Sequence, residues 1–154
     1  MEVELRRKSA EVIRAWLATF LREQFGKDKR GRARLPIILA GDFNSPAGEE
    51  ESSIYPVFVP GEAPVAFQDA WVLAHAPEAL KRLTDAEQIE AAAQRRTPGT
   101  YHGFKGDKLK TTSRIDWLLV RGNLAVERAT KLEGRVEGRY PSDHYPVVMR
   151  AFLR

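Results

Sequence analysis

The run Leu35-Pro36-Ile37-Ile38-Leu39-Ala40, closed by Gly41 and Asp42, constrains the fold more than any other segment of the chain. It has no polar side chain and therefore no wet face. The pattern fits a strand buried on both sides better than an edge strand with one side in water. Such a strand needs cover on each face, and 154 residues are enough for one domain with a sizeable core.

Part of that cover precedes the strand. From Glu4 to Phe25 the residues Ala10, Ile13, Trp16, Leu17, Phe20, Leu21 and Phe25 recur at steps of three and four, one stripe of an amphipathic helix. The stripe assigns Trp16 and Phe20 to core packing. Gly26 ends the periodicity, and Lys27 to Arg34 holds five basic residues, the composition of a solvated loop.

Beyond the strand, Ser45 to Pro64 is rich in Pro, Gly, Ser and Glu and reads as loop, followed by a short apolar segment from Val65 to Trp71. Pro77 to Arg96 has helical composition. Thr84 with Glu87 has capping-box form, and Pro98-Gly99 is a stop. An aromatic loop, Thr100 to Phe104, precedes strands expected at Arg114 to Val120, Ala125 to Leu132 and Tyr145 to Leu153. There is no internal repeat and no low-complexity tract.

Composition excludes several classes. Apolar residues make up 43% and charged residues 30%, with three Trp and seven Phe, well away from the signature of disorder. A formal charge of +4 suits an anionic partner such as a phosphate ester or a nucleic acid, though the charges are mixed in sign. The absence of Cys excludes a disulfide scaffold and a thiolate metal site. No apolar run approaches the roughly 20 residues needed to span a bilayer. Met1 to Lys8 is charged rather than signal-like, which leaves the location open and cytoplasmic by default.

Three polar clusters stand at strand ends, where a rigid element holds the side chain and the following loop reaches a ligand. In Gly41-Asp42-Phe43-Asn44 a carboxylate and a carboxamide two residues apart point the same way: Asp42 can bind a metal or orient water, and Asn44 can donate to a phosphate oxygen. In Arg114-Ile115-Asp116-Trp117 an acid interrupts an apolar strand, which is costly unless it is paired. In Ser142-Asp143-His144-Tyr145-Pro146 an acid and an imidazole precede the last strand. Asp116 is placed to accept from the His144 ring, fixing its tautomer and raising its basicity. Taken singly, each fragment is also compatible with an ordinary turn. Together Asp42, Asn44, Asp116, Asp143 and His144 make a set suited to a hard cation and to acid-base work.

In order and spacing, GDFN at 41 to 44, RIDWLLV at 114 to 120 and SDHYPV at 142 to 147 resemble the endonuclease/exonuclease/phosphatase family of DNase I-like metal-dependent phosphoesterases. The segments Thr100-Tyr101-His102-Gly103-Phe104 and Phe67-Gln68-Asp69-Ala70-Trp71 resemble further stretches of bacterial members. The resemblance implies an α+β fold, a four-layer α/β sandwich present here as roughly its C-terminal half, mostly antiparallel sheet with flanking helices. It implies Mg²⁺ or Mn²⁺ held by Asp42 and Asp143, Asn44 on the scissile phosphate, Asp116 supporting His144, and His144 on the phosphate or taking a proton. His102 and Arg114 join Asn44 as expected substrate-binding residues. His75, with no acidic or histidine neighbour, reads as a surface or capping residue.

The family's earlier half, with its Asn and Glu metal-site residues and a His in an H-x-D-H-like strand, has no counterpart in the sequence. Residues 1 to 154 are thus expected to form a single partial domain with impaired phosphoester hydrolysis. A partial sandwich bares an apolar sheet face larger than a soluble monomer usually exposes, so a separately supplied first half or a symmetric homodimer is expected to cover it. The alternative function is a non-catalytic half-domain that pairs with another polypeptide or with itself. An unrelated basic nucleic-acid-binding module would interleave basic and aromatic residues along one face, and no such face is legible. Substrate choice would fall to the loops Ser45 to Pro64 and Thr100 to Thr112, which leaves DNA, RNA, lipid and small phosphoesters open.

Overall fold

The computed structural model describes residues 2–26, 28, 34–48, 54–59, 65–75, 99–109 and 113–154. The helix expected at 77–96, its capping box, and most of the basic loop at 27–34 lie outside the described residues.

The amphipathic stripe forms helix α1, Glu2–Phe25, which ends where Gly26 takes a positive φ of 53° and its N–H donates to the Arg22 carbonyl at 2.7 Å. A residue without Cβ adopts that left-handed turn at no steric cost. Ala10, Leu17 and Leu21 of α1 enter the core, and Phe20 and Phe25 pack at its margin. Trp16 does not: it is 65% exposed and stacks on Phe20 at a ring separation of 5.7 Å. The stripe is wider than the surface it meets, so its Ile13 and Trp16 side stays in solvent.

Strand β1, Ile37–Asp42, lies antiparallel to β3, Asp116–Arg121, and β3 also pairs with the short β2, Gln68–Asp69, giving the order β1-β3-β2. A second, two-stranded antiparallel sheet joins β4, Leu124–Lys131, to β5, Val147–Leu153, with an irregularity between Val126 and Arg128. Two short α-helices and a 3-10 helix, Gly106–Lys108, complete the described elements: α2, Tyr55–Phe58, lies inside a stretch expected to be loop, and α3, Ala70–His75, packs against β3 and β4. Pro56 near the start of α2 is tolerated because a first-turn N–H has no helical partner anyway. Tyr55, Val57 and Phe58 are all buried, and their burial holds this turn in place.

The main buried cluster lies on one face of the three-stranded sheet. Trp117 and Leu119 of β3 meet Leu17 and Leu21 of α1, Tyr55 and Phe58 of α2, and Phe67, and Ile37 and Leu39 pack against its edge. Phe43 stacks on Trp117 at 4.3 Å and Tyr55 meets the same indole edge-on at 5.2 Å. Burying side chains of this size is the main favourable contribution to the fold.

The expectation that β1 is covered on both faces is not met. Ile37 and Leu39 are half-buried on the core side, whereas Ile38 is 52% exposed and Ala40 is exposed on the other. An apolar run records that both faces can be buried, and among the described residues nothing covers the second one. Val148 and Phe152 of β5 are exposed as well. The architecture is a small α+β fold with antiparallel sheets. No described helix is long and apolar enough to cross a membrane.

Candidate active site

The register of β1 on β3 sets Asp42 directly opposite Asp116. Side chains directly opposite on an antiparallel pair share a face, so the two carboxylates come together at one end of the sheet. The Phe43 N–H donates to the Ile115 carbonyl at 2.9 Å, which extends the pairing one step past Asp42. Asp42 then folds the chain after it: its Oδ1 accepts from the Asn44 backbone N–H at 2.8 Å and its Oδ2 from the Asn44 side-chain amide at 3.2 Å. Asn44 sits at φ 48°, a left-handed conformation that Asn tolerates better than most residues. Arg6 of α1 donates to the Asn44 carbonyl and fastens the turn from outside.

His144 arrives from the loop before β5. Tyr101 bridges to it, the Tyr145 N–H donates to the Thr100 carbonyl at 2.7 Å, and the N–H groups of His102 and Gly103 donate to the Asp143 carbonyl at 2.8 and 3.0 Å. The loops 99–104 and 142–145 are thereby fixed to each other. The His144 N–H also donates to Ser142 Oγ at 3.1 Å. Thr100 Oγ1 accepts from the N–H groups of Ile115 and Asp116 at 3.1 and 3.2 Å, so one hydroxyl braces the backbone that carries Asp116.

The outcome is a three-residue array. His144 Nδ1 lies 2.9 Å from Asp116 Oδ2, and His144 Nε2 lies 4.0 Å from Asp42 Oδ2. A carboxylate only accepts, so Nδ1 carries the hydrogen of this bond and Nε2 of the neutral ring is left with its lone pair. Burial of the imidazole works against its charged form. The hydrogen bond to Asp116 and the negative charges of Asp116, Asp42 and Asp143 outweigh that effect and hold the pKa above the ordinary histidine value. Asp42, Asp116 and His144 line a cleft of about 280 Å³ with Trp117, Ser142 and Tyr145.

Of the expected site residues, Asn44, Asp143, Arg114 and His102 are not among those that line this cleft, and two of them are buried behind it. Arg114 is fully buried and donates to Asp69 Oδ2, with its guanidinium 5.7 Å from the Trp71 ring centroid. An unpaired buried guanidinium is costly, which is why its partner is the equally buried Asp69 rather than a ligand. His102 is 1% exposed, its ring stacked between Tyr140 at 4.3 Å and Tyr145 at 4.1 Å, and among the described residues neither ring nitrogen has a hydrogen-bond partner. His75 is exposed at the end of α3, its ring on Trp71 at 4.2 Å and its Nδ1 at the Trp71 carbonyl. No sequence pattern marks Thr100 as a brace or Ser142 as a cap. Ser142 is the more legible of the two, because it stands directly before Asp143-His144.

Mg²⁺ keeps several waters and takes one or two carboxylates, and Asp42 is a carboxylate that opens on the cleft. Among the described residues no group of three or more acidic, His or Cys side chains is gathered to enclose a metal.

Solved structures of larger proteins share this fold. An endonuclease/exonuclease/phosphatase family protein from Bacteroides thetaiotaomicron matches with a TM-score of 0.61 and 24% identity, over 96% of this chain and 43% of its own. A mannosyl-6-phosphatase from Bacteroides thetaiotaomicron VPI-5482 matches with a TM-score of 0.57 and 22% identity, over 97% of this chain and 46% of its own. A functionally unknown conserved protein from Enterococcus faecalis V583 gives 0.53 and 24%, over 88% and 42%. The chain spans less than half the length of each. At these identities the likeness is one of fold. No protein-family description and no curated protein matches the chain.

Proposed function

We propose that the chain carries part of the active site of a divalent-metal-dependent phosphoesterase, within a DNase I-like four-layer sandwich of which it supplies roughly the C-terminal half. The observation that carries this reading is the array itself: His144 held by Asp116 and facing Asp42 at the end of two paired strands. The phosphatase and the endonuclease/exonuclease/phosphatase family protein among the fold neighbours support a reaction of this kind.

In the proposed chemistry Asp116 orients the imidazole and strengthens it as a base. His144 Nε2 then accepts the proton of the attacking water or stabilises charge on the phosphate. Asn44 donates an amide hydrogen to a phosphate oxygen. Asp42 and Asp143 are the residues that would hold Mg²⁺ or Mn²⁺, which when bound lowers the pKa of a coordinated water and neutralises phosphate charge. Arg114 and His102 act from behind, Arg114 through Asp69 and His102 by filling the space between Tyr140 and Tyr145.

The test is hydrolysis of bis-para-nitrophenyl phosphate with Mg²⁺ or Mn²⁺ by the wild-type chain, Asp42→Ala and His144→Ala. Slow wild-type turnover that falls at least about a hundredfold in His144→Ala supports the reading, since general acid-base groups contribute about 10²–10⁴-fold. Turnover unchanged in both variants refutes it.

A second reading is favoured by one observation, the apolar side chains left in solvent on β1, β5 and α1, among them Ile38, Phe152 and Trp16. In it the chain is a non-catalytic half that is covered by another polypeptide or a second copy. Sedimentation of a stable monomer that binds no hydrophobic dye would overturn it.

A further inference from the structure

Away from the cleft the structure gathers basic and aromatic residues that the sequence keeps about thirty positions apart. Phe104, Lys105 and Lys108 come from one turn, and Arg135, Arg139 and Tyr140 from another, and together they line an open pocket of about 710 Å³. No described side chain that lines it is acidic.

Both turns are built rather than incidental. In the first, Lys105 N–H donates to the His102 carbonyl at 2.8 Å and Leu109 N–H to the Gly106 carbonyl at 3.0 Å. Gly106 sits at φ 57°, and a Cβ there would fall 2.0 Å from the Tyr140 hydroxyl, so this turn lies against Tyr140 only because position 106 has no side chain. In the second, Val136 and Arg139 exchange backbone hydrogen bonds at 2.9 and 3.0 Å across Glu137 and Gly138, both at positive φ, as a tight two-residue turn requires. Arg135 donates to the Tyr140 hydroxyl at 2.7 Å and lies over its ring at 4.5 Å. Phe104 is held at φ 59° and is 64% exposed, a strained backbone that presents an aromatic ring to solvent.

Lys105, Lys108 and Arg139 present exposed positive charge around one concavity, and Lys and Arg side chains are the usual partners of phosphate. A single exposed ring beside them suits a planar body attached to that phosphate. Cationic grooves with stacking aromatics are how flexible nucleic acid strands are held without sequence preference. One buried ring separates the pocket from the cleft: His102 lies between Tyr140 of the pocket and Tyr145 of the cleft.

We propose that this pocket binds single-stranded nucleic acid, with backbone phosphates on Lys105, Lys108 and Arg139 and one base on Phe104. The site stands whether or not the cleft hydrolyses the strand.

The test is fluorescence anisotropy of a fluorescein-labelled deoxythymidine 12-mer titrated with the full chain in EDTA. Lys105, Lys108 and Arg139 are exposed, so the triple variant Lys105→Ala/Lys108→Ala/Arg139→Ala is expected to keep the wild-type melting temperature. It should weaken binding at least about tenfold and flatten the slope of log affinity against log salt by about 2, since each single-strand phosphate contact contributes about 0.7. Phe104→Ala should weaken binding about fivefold or more, the lower end for loss of one base stack. His144→Ala should bind as wild type, which separates this site from the hydrolytic one. A folded triple variant with unchanged affinity overturns the proposal. So does inorganic tripolyphosphate competing as well as the oligonucleotide with Phe104→Ala silent, or a 12-base-pair duplex binding more tightly than the single strand.

Discussion

Two carboxylates of this molecule each gather a network, and the networks are put to opposite uses. Asp69 accepts from the Tyr55 hydroxyl at 2.9 Å, from the Trp71 N–H at 2.8 Å and from Arg114, and the side chains of Asp69 and Arg114 are wholly buried. Asp116 holds His144 with Asp42 close by, and each of the three side chains stays between 21% and 35% exposed. The residue types overlap, and access decides what they can do. In the first network every oxygen is spoken for and no ligand can enter, so its charge fixes geometry. In the second, His144 Nε2 is left facing a cleft, so its charge is available for chemistry.

The sharpest way to break this contrast is to remove one carboxylate from each network and compare urea denaturation. Asp69→Ala leaves the Arg114 guanidinium buried and uncompensated and should cost about 3–5 kcal/mol. Asp116→Asn, at a half-open site, should cost less than about 1 kcal/mol while abolishing any hydrolysis that depends on His144. Similar losses of stability in the two variants would erase the distinction.

A smaller effect is expected at Tyr55, whose pKa is raised well above the ordinary tyrosine value by burial and then by the charge of Asp69. The folded state therefore keeps a proton that the unfolded chain releases at about pH 10. The stabilisation is fully present below that pH and is lost as pH rises toward the folded value. Tyr55→Phe should cost about 1 kcal/mol at neutral pH and remove this part of the alkaline decline. Ultraviolet titration should show Tyr55 ionising only with unfolding.

The smallest effect belongs to the open network. The His144 pKa is raised, so its contribution is present below about pH 6.5 and lost as pH rises through the folded value. It should amount to less than about 1 kcal/mol. Proton NMR of the His144 ring in EDTA should show the pKa falling in Asp116→Asn. An unmoved titration would mean that Asp116 does not govern the ring.

What the sequence made legible was the part of the site that rests on strand ends. Asp42 closes an apolar run and Asp116 opens another, and antiparallel pairing of two such runs brings their polar ends together. The contact of His144 with Asp116 follows from the same placement. The Asp69 network was not legible, because Tyr55, Asp69 and Arg114 come from three separated segments and only their packing joins them. Arg114 reads as a ligand group in sequence because a guanidinium beside an acid looks the same whether its partner is a substrate or a buried carboxylate. The basic pocket stayed hidden for a related reason: neither of its turns alone interleaves enough charge and aromatic surface to stand out. Ile38 shows the limit of an apolar run, which fits a two-sided burial but does not supply the second cover.

One small feature ties the far end of the molecule. Gly122, between β3 and β4, sits at φ 81°, and a Cβ there would lie 2.0 Å from the Leu35 carbonyl oxygen. The next residue donates its N–H to the Arg34 carbonyl and accepts from Arg154. The entry to β1, the turn out of β3 and the C-terminal residue thus share one crossing with no room for a side chain. In a library that randomises every position and selects for folding alone, position 122 should return almost nothing but glycine, while Gly134, with open space around its missing side chain, should accept broad replacement.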